Sequence, residues 1–264
     1  IIHVVRAFSD DDITHVSGKV DPLADVATIE TELALADLET TERAVDRTAK
    51  AAKTGDKKIL RELDYLKQAY EALSQDHGLQ ALLQDSEASA VLKPLCLLSA
   101  KPMLYVANVS EEDLNGNDQV SQLTAHAQTR QAQVVVVSAA IEQEISEIDA
   151  QERAGFLEDL GLESSGLDRV IRAGYALLGL QTFFTAGPKE VRAWTVACGA
   201  TAPQAAGEIH TDFERGFIRA ETIAYDEFVQ YQGEQGAREA GRLRLEGKEY
   251  ILSDGDIMHF RFNV

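Results

Sequence analysis

Met103-Leu104-Tyr105-Val106-Ala107-Asn108-Val109-Ser110-Glu111 is the stretch on which the fold turns. Five apolar residues run without interruption into a short polar loop. Further along, Val134-Val135-Val136-Val137 does the same and ends in Ser138-Ala139-Ala140. Short continuous apolar runs bounded by turn residues read as strands buried on both faces, the pattern of a parallel sheet. Two such strands, each ending in a polar loop, form the kind of α/β edge that holds a nucleotide base.

The first loop has a specific hydrogen-bond logic. GTPases carry Asn-Lys-x-Asp here, and the Asp accepts from both N1–H and the 2-amino group of guanine. Adenine has no 2-amino group and its N1 is an acceptor, so a carboxylate on that edge finds no partner, which is costly. Asn108 suits adenine, donating to N7 and accepting from the 6-amino group, while Val109 and Glu111 replace the Lys and Asp of the guanine clamp. Asn-x-x-Glu alone fits a strand-ending turn better than a base site. The paired strand–loop context is what brings the base-site reading level with it. Asn108-Val109-Ser110 also matches a glycosylation sequon, but nothing else in the chain suggests secretion.

The chain has 264 residues, 45% of them hydrophobic and 26% charged, with a net charge of −19. That size allows two domains or one large one. The acidity argues against a generally basic nucleic-acid binder and leaves room for a local basic patch. No apolar run approaches the roughly 18 residues that span a bilayer, and no signal peptide is visible. Cys96 and Cys198 form no metal or redox motif and read as reduced cytosolic thiols. The opening Ile1-Ile2-His3-Val4-Val5-Arg6 reads as a buried strand, an implausible native terminus, so the chain is expected to be a fragment of a larger domain. No Gly-x-x-x-x-Gly-Lys-Ser/Thr phosphate loop occurs.

From about Thr28 a helical pattern begins, with Leu35, Leu38, Val45, Ala49 and Ala52 at near-heptad steps. After the turn Thr54-Gly55-Asp56, Ile59, Leu63, Leu66, Tyr70 and Leu73 continue it, predicting an antiparallel helical hairpin. Arg43, Arg47, Lys50, Lys53, Lys57, Lys58 and Arg61 cluster at its tip, opposed by Asp46 and Asp56. The charge pattern fits a solvated face or a phosphate-contacting surface. Helices are expected within 86–99 (with Pro94 as a break), near 118–130, over Ile141–Leu160 and over Leu167–Leu180, the last with Leu167, Ile171 and Leu178 among its core-facing positions.

The texture changes at Gln181. Strands are expected at Thr182–Phe184 and Val191–Val196 around the turn Ala186-Gly187-Pro188, then a helix over Thr201–Phe213. Extended or mixed pieces follow at Phe217–Thr222, Tyr225–Tyr231 and Tyr250–Leu252, and a last strand at Ile257–Asn263. This order suggests a small β-grasp, ubiquitin-like domain. Trp194 and Phe213 read as core, and His210 as structural. His3, His15, His77, His126 and His259 show no metal-ligand spacing.

At this point the chain resembles the YchF subgroup of the Obg-like ATPases. The matching stretches include Thr31-Glu32-Leu33-Ala34-Leu35-Ala36-Asp37-Leu38, Tyr105–Glu111, Arg169-Val170-Ile171-Arg172-Ala173-Gly174-Tyr175 and, most densely, Thr182 to Val264, with Glu190-Val191-Arg192-Ala193-Trp194 and His210-Thr211-Asp212-Phe213-Glu214-Arg215-Gly216-Phe217. The resemblance implies an α/β fold: a partial P-loop NTPase (G-domain) sheet in residues 1–26 and 85–180, an inserted antiparallel coiled-coil arm at 27–84, and a β-grasp TGS domain at 181–264.

It also implies a cytoplasmic, ribosome-associated protein that hydrolyses ATP in preference to GTP, with Mg²⁺. Asn108, Val109 and Glu111 match the family's base loop, and Ser138 and Ala139 its second base-contacting loop, through backbone N–H groups. The phosphate loop, the metal ligands and the switch segment would lie before Ile1, so this chain carries no catalytic or metal residue and is expected to be inactive alone. Expected partners are ATP and the ribosome with its RNA, and neither membrane nor DNA. The alternative is a non-catalytic ribosome- or RNA-binding module made of the basic tip and the TGS domain.

Overall fold

The computed structural model describes residues 1–10, 20–75, 78–187 and 190–263. His15, His77 and Pro188, named above, lie outside them. The chain divides into two compact units, Ile1–Ala173 and Gly174–Val264.

In the first unit, β1 (Ile2–Arg6), β2 (Leu104–Asn108) and β3 (Gln133–Val137) form a parallel sheet in the order β1-β2-β3. The middle strand is buried from Leu104 to Ala107, as its unbroken apolar run requires. β1 departs from expectation. It lies at one edge of this sheet, with Val5 buried but Ile2 52% and Val4 63% exposed.

The helical hairpin is α1 (Pro22–Ala51) and α2 (Lys57–Ser74). α1 starts six residues before Thr28, because Asp21 accepts the N–H of Ala24 and Pro22 fits the first turn, whose missing N–H is no loss there. Its buried seam also differs from the one expected. Asp37, Thr41, Ala44 and Thr48 are buried, whereas Leu35 is 55% exposed. Small residues let α2 approach with Leu66, Ala69 and Leu73. Gly55, at φ +77°, makes the turn at the tip, and Asp56 caps α2 through the N–H of Lys58.

α3 (Gln80–Leu83) and α4 (Ser86–Leu92) extend the same apolar cluster through Leu79, Leu92 and Leu97, and a 3-10 turn at Lys93–Leu95 ends the helix near Pro94. α5 (Asp118–Thr129) covers the sheet with Val120, Leu123 and Ala127. The expected helix over Ile141–Leu160 is two helices, α6 (Ala139–Glu147) and α7 (Arg153–Asp159), because the backbone turns extended at Ile148. α8 (Gly166–Leu178) leaves Leu167, Ile171 and Leu178 exposed, contrary to a core-facing side.

In the second unit, β4 (Leu180–Ala186), β5 (Val191–Ala197), β6 (Phe217–Ile223), β7 (Arg244–Glu246) and β8 (Ile257–Phe262) form one sheet in the order β5-β4-β8-β6-β7. β4 and β8 are parallel; the other neighbours are antiparallel. α9 (Ala202–Ile209) packs Ala202, Ala205 and Ala206 on Phe183, Phe217, Met258 and Phe260. The helix expected to reach Phe213 breaks at His210. Its backbone is extended and its Nδ1 accepts the N–H of Asp212, starting α10 (Thr211–Arg215). Tyr225–Gln230, in a piece expected to be extended or mixed, is a helix, α11; α12 (Glu234–Glu239) and β7 had no clear sequence signal. Tyr250–Leu252 holds a single bridge, Ile251 to Thr201.

Candidate functional site

The parallel register places the ends of β2 and β3 side by side, Asn108 opposite Val137. The Asn108 backbone carbonyl accepts the N–H of Ala7 at 2.8 Å, and the Val109 N–H donates to the Val137 carbonyl at 2.8 Å. Asn108 Oδ1 accepts the N–H of Ala139 at 3.0 Å, tying the two loops together. The amide NH₂ of Asn108 has no partner among the described residues and is the free donor of the loop.

The remaining expected base residues fall into distinct settings. Val109 sends its side chain into the sheet core, packed with Val120 and Leu123, so it offers the loop its backbone. Glu111 is exposed at the start of a 3-10 turn, Glu111–Asp113. Ser138 is 2% exposed and its Oγ has no partner among the described residues. Ala139 is exposed at the first position of α6, but its N–H is taken by Asn108. The next two N–H groups, of Ala140 and Ile141, have no acceptor within the helix, whereas that of Glu142 is already bound to the Ser138 carbonyl.

Sequence reasoning missed two carboxylates on one side of α1. Asp37, 2% exposed, accepts from Leu98 N at 2.7 Å and from Ser99 N and Oγ at 2.6 Å each. Two turns earlier, Glu30 accepts from the Tyr105 hydroxyl at 2.7 Å, meets His126 Nε2 at 3.2 Å and pairs with Arg130 at 2.9 Å. Burial pushes the Glu30 carboxyl up, but the Tyr105 and His126 hydrogen bonds and the Arg130 charge outweigh it and hold Glu30 below its ordinary value. Burial, then the hydrogen bond to Glu30, raises the Tyr105 phenol. Burial holds His3 below its ordinary value against the charges of Glu30 and Asp25. These partners lie far along the chain, and the nearest usable signal is the spacing of the two acids on one helix face.

Arg43, Arg47, Lys50, Lys53, Lys57, Lys58 and Arg61 are all exposed around the end of the hairpin. Arg61 is bound to Glu87 at 2.9 Å and Arg43 to Glu39 at 3.5 Å. The other five have no ion-pair partner among the described residues. Cys96 and Cys198 are exposed free thiols.

Among the described residues no group of three or more His, Cys, Asp or Glu side chains is placed to hold a metal ion. No helix among them is long and apolar enough to cross a membrane.

The family model YchF-GTPase_C, described as a protein of unknown function (DUF933), matches residues 180–263. The ribosome-binding ATPase YchF of Haemophilus influenzae is 56% identical over 262 residues, 99% of this chain and 72% of that protein. Obg-like ATPase 1 of Rattus norvegicus is 42% identical over 272 residues, covering 100% of this chain and 68% of its own length. The solved structure of the Schizosaccharomyces pombe YchF GTPase aligns with a TM-score of 0.82 at 32% identity, over 98% of this chain and 71% of that one. The names of the two relatives carry ATPase, whereas those of the family model and of the solved structure carry GTPase.

Proposed function

The chain belongs to the YchF family of Obg-like ATPases, and from that premise we propose that it supplies the base-selecting and ribosome-docking parts of a cytoplasmic, ribosome-associated ATPase. The observation that carries the choice of ATP is the Asn108–Ala139 bond. It orients the Asn108 amide so that its NH₂ donates to adenine N7. The second lone pair of Oδ1 accepts from the 6-amino group. The free N–H groups at the start of α6 supply a donor for N1, and no carboxylate is fixed where guanine would present N1–H and its 2-amino group.

In this reading, residues 1–26 and 85–180 belong to a G domain, residues 27–84 form its coiled-coil arm, and residues 181–264 are a TGS domain. The sheet order β5-β4-β8-β6-β7, with its first and last strands to pair centrally, β4 and β8, running parallel, supports the β-grasp assignment. These 264 residues contain no phosphate-cradling loop. Phosphate positioning and charge stabilisation dominate phosphoryl transfer, so the chain by itself is inactive and holds ATP weakly.

The test is a titration of the isotope-labelled chain with adenosine and with guanosine, followed by amide chemical shifts. Adenosine should move Asn108–Glu111 and Ser138–Ala140 at lower concentration than guanosine does. Guanosine preference, or shifts elsewhere, overturns the reading. ATP hydrolysis by the highly purified chain overturns the claim that it is inactive alone.

A second reading, a non-catalytic ribosome- or RNA-binding module, is favoured by the five cations of the hairpin tip that have no ion-pair partner among the described residues. It separates from the first by whether docking survives without any nucleotide response.

A further inference from the structure

We propose that Asn117 is a positioning residue for base selection: it locks the turn that carries Glu111 against the sheet and so keeps that carboxylate off the base. The proposal rests on the base-loop reading given above. After Val109 the chain leaves the sheet, and what fixes it next is Asp113. Asp113 Oδ2 accepts from Ser110 Oγ at 2.9 Å and from Asn117 Nδ2 at 3.0 Å, and the Asp113 N–H donates to the Ser110 carbonyl at 3.1 Å. Glu111 sits inside this closed turn. Gly116, at φ +96°, returns the chain by donating its N–H to the Asp113 carbonyl at 2.7 Å, a conformation that suits glycine.

Asn117 anchors the turn from outside. Its Nδ2 also donates to the Ala7 carbonyl at the end of β1, 2.9 Å away, and its Oδ1 accepts the N–H of Val120, capping α5. Both amide hydrogens and the amide oxygen are therefore used, one each for the turn, the sheet and the helix. Ala7 is fully buried and its own N–H is bound to Asn108, so Asn117 and Asn108 hang from the same residue. Aspartate or serine at this position keeps the helix cap. Aspartate has no hydrogen to donate, and serine has one where two are needed.

The consequence is chemical. Guanine rejection requires that no carboxylate reach N1–H and the 2-amino group. Glu111 has the right charge for guanine and one methylene more than the usual aspartate, so its exclusion depends on where the turn holds its backbone. A loosened turn lets Glu111 accept from guanine.

The experiment compares adenosine and guanosine titrations of the wild-type chain with those of N117D and N117S, using amide shifts. Thermal unfolding and amide protection of α5 report the retained cap. A third variant, S110A, leaves the cap untouched and loosens Asp113 from its other side. The expected result is a several-fold fall in the adenosine-to-guanosine affinity ratio in all three, with guanosine binding gained and α5 still protected. Wild-type selectivity in N117D and S110A overturns the role of Asn117. Equal affinity of the wild type for the two nucleosides overturns the base-loop reading, and this proposal with it.

Discussion

Asn108 Oδ1 and the Ala139 N–H lie 3.0 Å apart, one at the end of β2 and the other at the start of α6. This bond makes one surface of two loops 31 residues apart. It also divides the Asn108 amide into a structural half, the oxygen, and a free half, the NH₂. The two halves are separable by substitution. N108D keeps an acceptor for Ala139 and loses the donor for N7. It should unfold within about 1 kcal/mol of wild type and lose the adenosine-induced shifts. N108A should lose both binding and loop order, seen as faster exchange of the Ala139 amide. Adenosine binding retained in N108D would remove Asn108 from base recognition.

Asp37 is a buried carboxylate with three hydrogen-bond donors and, among the described residues, no cation paired to it. Alanine there leaves the N–H groups of Leu98 and Ser99 without acceptors, and unsatisfied buried groups cost about 1–3 kcal/mol each. D37A should therefore destabilise the first unit by roughly 3 kcal/mol in urea unfolding. D37N should recover part of this, because its oxygen still accepts while its NH₂ faces a donor. D37E is expected to fare no better than D37N, since an added methylene has no space in a site this enclosed. A change below about 0.5 kcal/mol in D37A would show that α1 is held by apolar packing alone.

Much of this architecture is legible in the sequence because it rests on local signals. Val134–Val137 and Leu104–Ala107 announce buried strands by their runs, and Asn108 and Ser138 announce loops by ending them. The hairpin is equally visible, but its seam is not. Leu35 looks like a heptad residue and is exposed, while Asp37, Thr41 and Thr48 look polar and are buried. The burial of Asp37 depends on Ser99, 62 residues away. A period cannot reveal a carboxylate that is solvated by backbone N–H groups brought from another segment. The base site divides in the same way. Its residues are readable one by one, whereas the Val109 side chain in the core and the Ala139 N–H already spent on Asn108 follow from register.

Glu30 and His3 make the first unit sensitive to acid in two successive ranges. The His3 imidazole is held below its ordinary 6.5 by burial, so the unfolded chain takes up a proton that the folded chain refuses. Stability should begin to fall as pH drops through 6.5. The folded Glu30 carboxyl lies below its ordinary 4.5, because the hydrogen bonds of Tyr105 and His126 and the charge of Arg130 overcome its burial. Its contribution is complete above 4.5 and is lost as pH falls through the lower folded value. Urea midpoints measured from neutral pH downward should show both declines. H3Q should flatten the first and E30Q the second, while E30Q lowers stability at neutral pH by releasing Tyr105, His126 and Arg130 together. Identical pH profiles for E30Q and wild type would mean that Glu30 is ionised equally easily in both states.

The five cations at the hairpin tip without an ion-pair partner among the described residues carry the docking proposal, and salt is the variable that isolates them. Arg61 and Arg43 are already paired with Glu87 and Glu39, so removing either pair whole, both members to glutamine, should change little. Lys50, Lys53, Lys57 and Lys58 are exposed without such partners among the described residues. If they meet ribosomal RNA phosphates, each phosphate neutralised releases counterions, and the logarithm of affinity falls with the logarithm of salt by close to one unit per phosphate. K50E, K53E, K57E and K58E combined should weaken sedimentation with ribosomes at low salt and flatten the salt slope by the number of phosphates no longer neutralised. The double substitution R61Q with E87Q is the internal control, since it removes that ion pair without changing the net charge and should leave the slope unchanged. An unaltered affinity in the quadruple variant would move docking to the second unit, and an altered affinity with an unaltered slope would mean that the tip meets protein rather than RNA.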